Sequence, residues 1–394
     1  MYRVGFGDCF LMSLPGADGP EHVLIDCGVH PRGDIAKLES AVDNIAEETG
    51  GRLALIVATH AHQDHISGFA ACERTFRRFR VREVWLPWTE NPNDLTALNL
   101  RQKHAALTHA LVQHFQVRPA APAVRGAVDA ALVNLSANHR ALEVLRKGLR
   151  GASVKYLAAG KQIDNAGGIG GLSARILGPP RDEKFLARMD PPAGERFLRA
   201  AAGHVEAVNE VLPFDGKWLV KAAASPYYQA IDESYKNKLA VAALDPSGIA
   251  FALDRVVNNT SVVALFTFEE KLLLFPGDAQ YGSWESWLRG PDNSTLLLEL
   301  DFLKIAHHGS ENATPKSLLG KLSDKGLAAM VSTQCEPWPS IPLPKLMGAL
   351  QTKCAGLVRS DSIVVKGAPK GPRLAKLPKG FRQGPFWFDY FLPV

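Results

Sequence analysis

The segment Thr59-His60-Ala61-His62-Gln63-Asp64-His65 constrains this chain more than any other. Three histidines and a carboxylate fall within six residues, directly after Leu53-Ala54-Leu55-Ile56-Val57-Ala58, an apolar run of the length expected for a strand buried on both faces. A strand that ends this way delivers ring nitrogens and carboxylate oxygens to one loop. Imidazole and carboxylate together suit a divalent metal, zinc best, with manganese or iron(II) also compatible. In a purely structural role the same residues would only cap the following helix, with Asp64 accepting from backbone donors. A spaced H-x-H-x-D-H is more specific than that.

The five cysteines (Cys9, Cys27, Cys72, Cys335, Cys354) are odd in number, scattered and form no C-x-x-C pair. That excludes a disulfide framework and a cysteine-rich zinc knuckle, so histidine and carboxylate must carry any metal. Two other strand ends offer them. Residues 262–268 and 271–275 read as a strand pair across Glu269-Glu270, leading into Pro276-Gly277-Asp278, and residues 301–306 form a strand that runs into His307-His308-Gly309-Ser310. Alone, Asp278 would pass for a turn residue and the histidine pair for loop histidines.

The remaining chain alternates strands and helices. Residues 4–12 and 22–28 read as a β-hairpin that ends in Asp26 and Gly28, residues 35–48 as a helix, and residues 66–87 as a further helix and strand. Alanine, leucine, histidine and arginine in helical spacing mark an insertion over about 93–150, and a second insertion is expected over about 181–253. His104, His109 and His114 are five apart, so each is rotated about 140° from the last and they cannot share one helix face. They read as surface residues, and His139 and His204 are isolated. The tail over about 366–394 is basic and then aromatic, with Phe386-Trp387-Phe388 and Tyr390-Phe391.

With 394 residues, 46% of them hydrophobic and 22% charged, the chain reads as a soluble globular protein. No apolar run approaches the roughly 18 residues of a membrane span, and the first residues lack a secretory pattern, so the expectation is a cytoplasmic protein without a membrane partner. A formal net charge of +5 is too mild to demand a polyanionic partner and compatible with one.

Taken in order, these motifs resemble the metallo-β-lactamase superfold, and more narrowly its branch similar to the soluble domain of the competence protein ComEC. The resemblance rests on Val4-Gly5-x-Gly7-Asp8, Leu24-Ile25-Asp26-x-Gly28, the His60 to His65 motif, Asn259-x-Ser261-Val262-Val263, Leu274-Phe275-Pro276-Gly277-Asp278, and Leu303-Lys304-x-x-His307-His308-Gly309-Ser310. It implies a single α/β domain, a four-layered αββα sandwich with helical insertions, and two divalent metal ions, zinc or manganese. His60 and His62 would hold the first metal and Asp64 and His65 the second, with Asp278 bridging. His308, which directly precedes Gly309, or else His307, would complete the second metal. Asp8, Asp26, Asn258 and Asn259 would stand behind the ligands and orient them by hydrogen bonds. The wider fold usually adds a third histidine to the first metal; here Asn258-Asn259 stands in that region. The branch often carries a His-Pro pair in a later loop, where this chain has Ile341-Pro342.

Such metals would lower the pKa of a water between them and supply hydroxide near neutral pH, with Asp64 also orienting that nucleophile as the catalytic carboxylate. Phosphodiester cleavage leads, because two metals bridged by a carboxylate suit in-line displacement at phosphorus. DNA or RNA would be the partner, held by Arg74, Arg77, Arg78, Arg80 and Arg82 and by the basic, aromatic tail. Against that, the arginines would be a solvated helix face and the aromatics would pack on the core. Lys304 and Ser310 are candidate contacts to an anionic substrate, or structural residues. Hydrolysis of a small-molecule ester, lactone, thioester or β-lactam is the second reading, and a non-catalytic or regulatory protein whose insertions bind a protein partner is the third.

Overall fold

The computed structural model describes residues 1–117, 122–135, 138–197, 255–288, 293–322, 326–335, 338–362 and 376–392. Most of the expected second insertion, and residues 363–375 and 393–394 of the tail, lie outside the described residues.

The chain opens with an antiparallel hairpin, β1 (Cys9–Leu14) and β2 (Glu21–Cys27). Helix α1 (Leu38–Thr49), β3 (Arg52–Val57), α2 (Gln63–Ala71), α3 (Glu73–Phe76) and β4 (Arg80–Pro87) follow. After α4 (Leu95–Val117), α5 (Pro122–Leu135) and α6 (His139–Glu143), β5 (Ser153–Leu157) closes a five-stranded sheet in sequence order, parallel from β2 onward. The second sheet comprises β6 (Gln162–Ile163), β7 (Ser173–Gly178), β8 (Val263–Phe268), β9 (Lys271–Phe275), β10 (Phe302–Lys304), β11 (Ala328–Val331) and β12 (Gly356–Arg359). Its order is the reverse of the sequence, antiparallel from β6 to β9 and parallel from β9 to β12.

Alternation along the strands sorts side chains into layers. On β2, Val23 and Ile25 join a core between the two sheets while Leu24 and Cys27 face the other way, against α1 and α2. On β8 and β9, Ala264, Phe266 and Phe275 face the inter-sheet core, and Leu265 and Leu274 turn to Trp284 and Trp287 of the helix Tyr281–Leu288. Across the middle, the rings of Trp85 and Phe266 stack at 6.0 Å between centroids. The result is helix, sheet, sheet, helix, the four-layered sandwich expected from the sequence.

Glu269 and Glu270 join β8 to β9 with φ of 45° and 66°, the doubly left-handed backbone of a tight hairpin turn. Most of the aromatic tail packs rather than projects, Phe391 being exposed. Phe388 is fully buried, Phe381 joins the inter-sheet core, and Trp387 bridges Tyr2. No described helix is long and apolar enough to cross a membrane.

Candidate metal centre

Four loops that follow parallel strands meet at one edge of the sandwich: those after β2, β3, β9 and β10. The carboxyl ends of parallel strands are where open α/β sheets place their ligands. Two glycines allow the loops to close on one another. A Cβ on Gly28 would lie 2.5 Å from the backbone of His65, and one on Gly7 would lie 2.4 Å from the Gly28 carbonyl oxygen. With those approaches open, Asp8 N donates to Asp64 O (2.9 Å) and Gly28 N to Asp8 O (2.9 Å). This is the physical content of the two N-terminal glycine motifs.

At the centre, Asp64, His65, Asp278 and His308 each offer a ligand atom, all within 4.8 Å of one another. His65 Nδ1 donates to Asp26 Oδ2 at 2.7 Å, which turns His65 Nε2 toward Asp278 Oδ2 at 3.2 Å. His308 Nδ1 donates to the Ser332 carbonyl at 2.8 Å, and its Nε2 lies 3.2 Å from both Asp64 Oδ2 and Asp278 Oδ2. Each ring therefore commits one nitrogen to an orienting acceptor and presents the other to the carboxylates, the arrangement a metal-binding imidazole needs. His307, His308 and Gly309 are consecutively left-handed (φ 46°, 53° and 81°), and this unusual backbone aims His308 inward.

His307 goes elsewhere. The Asn258 amide donates to its Nε2 (3.2 Å), and its Nδ1 faces Ser310 Oγ (2.7 Å) and Asn312 Oδ1 (3.2 Å). Its Nε2 is 4.0 Å from Asp278 Oδ2, and it stands outside the four-residue group.

His60 and His62 form the other half of the site. His60 Nε2 and His62 Nδ1 face each other at 3.1 Å, and Ser261 Oγ contacts His60 Nδ1 at 3.2 Å while accepting from Asp278 N at 3.0 Å. Burial and neighbouring histidines hold His60 well below the usual imidazole range. Burial pushes His62 down to about 3, against the pull of Asp64. Both rings are neutral at physiological pH and able to donate lone pairs. For His308 burial opposes the charge, yet Asp278 and Asp64 raise it to about 10; His65 is raised well above its ordinary value against the same opposition by Asp278, Asp26 and Asp8.

The charge balance tests whether metal fits. Asp8, Asp26, Asp64 and Asp278 are each at most 2% exposed, and the nearby Lys304 is the lysine buried with them, also 2% exposed. Four carboxylates against one ammonium leave three negative charges in a dry site, which without metal draw protons onto His65 and His308 and which divalent cations would balance with those rings neutral. Divalent ions on these donors fit. Asp26 also accepts from Thr59 N and Thr59 Oγ1, both at 2.7 Å, tying β2 to the metal loop. Asn259 accepts from Gln280 N (2.9 Å) and donates to the carbonyls of Leu186 and Arg188 (3.1 Å each), so it anchors the loop after β9.

Three expectations change on this geometry. Lys304 does not face substrate: its ammonium contacts Asp8, Asp278 Oδ1 (3.2 Å) and the Gly277 carbonyl (2.8 Å), beneath the carboxylates it neutralises. Ser310 is 4% exposed and holds His307 and Asn312. The Arg74 to Arg82 cluster lies at the opposite end of the first sheet. Arg80 pairs in register with Arg52, whereas the site begins beyond Val57, which pairs with Trp85. Seven residues from Arg52 to Thr59 at ~3.3 Å each put that cluster about 20 Å away. Arg77 and Arg82 are moreover paired with Glu73 and Glu21.

Sequence reasoning missed two groups. Phe6, His30 and Trp338 form an aromatic wall beside His308, with Phe6 4.2 Å from the His308 ring and 4.7 Å from Trp338, and His30 5.3 Å from Trp338. No local pattern marks them, since they come from separate loops. His104 and His114 also depart from the surface position expected of them, each being half-buried on α4. His109 is exposed beside Gln113 and His139 is exposed, while His204 lies outside the described residues.

Residues 2–77 match the family model of the metallo-beta-lactamase superfamily, the stretch that contains both glycine motifs and the whole His60 to His65 loop. The fold is the metallo-β-lactamase fold. Zinc-bound PqqB from Methylobacterium extorquens is similar in structure, with a TM-score of 0.36 and 9% identity over 88% of this chain and 83% of that chain. No curated protein matches the chain. The superfamily match and the buried donor cluster point to a metal-dependent hydrolase.

Proposed function

We propose that this chain is a binuclear metal-dependent hydrolase of the ComEC-like branch, and that it cleaves a phosphodiester. The observation that carries the proposal is Asp278, whose Oδ2 stands 3.2 Å from the metal-facing nitrogen of His65 and 3.2 Å from that of His308. That contact seats Asp278 with the second cation alongside Asp64, and a carboxylate that also reached a cation on His60 and His62 would join the paired cations that suit in-line displacement at phosphorus. Divalent metal bound there, zinc or manganese, supplies Lewis acidity toward a substrate oxygen and a nucleophile near neutral pH.

The protein's own residues do the rest. His60, His62, Asp64, His65, Asp278 and His308 supply the donors. Asp26 and the Ser332 carbonyl hold His65 and His308 in the ring orientation that points Nε2 inward. Asp64 and Asp278 are held ionised: burial opposes their charge, but His65 and His308 keep Asp64 below the usual carboxylate range and Asp278 well below it, with Lys304 also acting on Asp278. Asp64 is then the carboxylate that orients the nucleophile. Asn138, at the start of α6, lies over the His60–His62 loop, its amide donating to the Ala61 carbonyl. With the arginine cluster distant, this enclosure favours a short or single-stranded DNA or RNA end over a duplex held along a basic track.

A second reading, hydrolysis of a small-molecule ester, lactone, thioester or β-lactam, draws on the half-buried Trp338, packed on Phe6 and His30 beside His308. One comparison separates them: turnover of a bis-aryl phosphodiester and of single- and double-stranded DNA, against a neutral aryl ester and a β-lactam, with added Zn2+ or Mn2+. Phosphodiester turnover lost in Asp64→Ala supports the proposal. Turnover confined to the neutral substrates overturns it in favour of the second reading, and metal binding without turnover of any substrate supports a non-catalytic role.

A further inference from the structure

Trp338 is placed differently from the other described tryptophans. The indole N–H of Trp85 donates to Glu83, that of Trp88 to the Pro180 carbonyl and that of Trp387 to Asp389, while those of Trp284 and Trp287 are sealed from solvent. The Trp338 side chain is half-buried, and its N–H has no acceptor among the described residues and is not sealed. A tryptophan whose polar edge is neither bonded nor shut away meets solvent with that edge and with part of its ring.

The loop after β11 carries this indole to the metal centre. Ser332, at the start of the loop, accepts from His308 Nδ1 through its carbonyl at 2.8 Å. Gln334 then grips the loop after β2, donating to Arg32 O and accepting from Asp34 N, both at 3.1 Å. Beyond Trp338, Ile341 N closes a turn on the Trp338 carbonyl and Leu343 N donates to Gly309 O, each at 2.9 Å. The chain on both sides of Trp338 is thus tied to the His308-Gly309 corner.

The buried part of the indole is braced by two rings that are themselves inaccessible, Phe6 at 2% and His30 at 1% exposure. Phe6 lies 4.7 Å from Trp338 and 4.2 Å from His308, so two ring contacts separate Trp338 from a metal donor. His30, 5.3 Å from Trp338, is held in turn: its Nδ1 accepts from Arg32 N at 3.2 Å, which leaves Nε2 to face the Ala130 carbonyl at 3.4 Å. An indole fixed this way has little freedom left to lose when a second flat ring stacks on it. The residues that follow, Pro339 and Ser340, are exposed and uncharged, so no neighbouring ion of that turn competes for the π-face.

We propose that Trp338 is a specificity-determining residue, the platform on which a flat aromatic substituent of the substrate stacks while the scissile bond lies at the metal centre. The inference rests on the hydrolase reading above and deepens it by naming what the substrate carries beside that bond. A nucleobase of a phosphodiester and the aryl group of a neutral ester present the same π-face to an indole.

The test begins with binding by the full chain loaded with Zn2+, read without turnover. Benzylphosphonate and methylphosphonate carry the same anionic head on a C–P bond that is not hydrolysed, so the ratio of their dissociation constants isolates the ring. Calorimetric titration of wild type should favour the benzyl compound by about 10-fold, within the range one stacked ring supplies. In Trp338→Ala the two affinities should fall within about twofold of each other, and Trp338→Phe, which keeps a ring, should retain at least roughly a threefold preference. Circular dichroism should show both variants folded. The source of the ring is read in turnover with the leaving group held constant: thymidine 5′-(4-nitrophenyl phosphate) against methyl 4-nitrophenyl phosphate, and 4-nitrophenyl benzoate against 4-nitrophenyl acetate. A preference for the aromatic member that Trp338→Ala loses through KM supports the inference, and the pair that is hydrolysed identifies the ring as nucleobase or aryl ester. Equal affinity of wild type for the two phosphonates, binding of neither, or a benzyl preference that survives in folded Trp338→Ala would overturn the inference while turnover left the hydrolase reading standing. A benzyl preference lost in Trp338→Ala without turnover of any of the four esters would keep the platform and remove the hydrolase.

Discussion

Asp26→Asn is the sharpest perturbation of this site, because it keeps the shape of the side chain and changes only what it can accept. Asp26 accepts three hydrogen bonds at 2.7 Å, from Thr59 N, Thr59 Oγ1 and His65 Nδ1. Its φ of 54° is one that asparagine tolerates as well as aspartate, so the backbone adds no strain. With Oδ1 still accepting from Thr59 N, the new amide group falls opposite His65 Nδ1. An N–H cannot face an N–H, so His65 must carry its proton on Nε2, the nitrogen turned toward Asp278. That tautomer cannot ligate metal through Nε2. Loss of such an orienting partner costs about 10–100-fold in metal affinity, or roughly 1.4–2.8 kcal/mol. Replacing the charged bond to a buried imidazole by a neutral one removes about 1–2 kcal/mol of folding stability besides. Zn2+ competition against a chelator reads the first number, urea unfolding the second, and 15N chemical shifts of the His65 ring the tautomer. Zinc affinity within twofold of wild type, with His65 still protonated on Nδ1, would refute the reasoning.

Lys304→Met should destabilise the metal-free protein by about 3–5 kcal/mol, since it strands Asp8 and Asp278 without their buried cation; Zn2+ should restore part of the loss, and a urea midpoint that barely moves would contradict this. Glu270→Gly should stabilise the protein by about 1 kcal/mol by relieving a left-handed non-glycine residue in the β8–β9 turn, visible as a raised melting temperature. His22, bonded to Ser13 Oγ at 2.9 Å across the β1–β2 pair, is held below its ordinary range by burial, despite Glu21 and Glu48. The unfolded chain therefore binds more protons at this position, and its contribution is present above pH 6.5 and lost as pH falls below it, with a slope of at most about 1.4 kcal/mol per pH unit. In His22→Asn the stability profile between pH 5 and 6.5 should flatten; an unchanged slope would show that His22 does not supply it.

Much of the metal site is written in local pattern. An apolar run that stops at Thr59 fixes where β3 ends, and residue type alone says that His60, His62, Asp64 and His65 offer metal donors. The same holds for Asp278 after β9 and for the histidine pair after β10. The hairpin, the first four strands and the helical character of α4, α5 and α6 follow from spacing, turn residues and alternation. Lys304 was ambiguous because the surroundings of a lysine on a short strand depend on what the facing sheet brings to it, here Asp8 from a loop nearly 300 residues earlier. Ser310 was ambiguous for a different reason: its hydroxyl turns back on His307 and Asn312 only because the backbone from His307 to Gly309 is left-handed.

The sequence by itself determined the chemistry on offer: histidine and carboxylate at strand ends, no thiolate pair, and a set of motifs whose order resembles one superfold. It did so because strand periodicity and residue type are local properties. Only the tertiary structure decided which of those groups meet. Three successive left-handed residues turn His308 inward and leave His307 to Asn258 and Ser310. The parallel register of β3 and β4 carries the arginines to the far end of the sheet, and the docking of α4 on the β4 turn through Arg101 turns Ala97 and Leu111 inward. These are matters of register, backbone hand and helix rotation relative to a partner, and they arise when the two sheets and the insertion pack together.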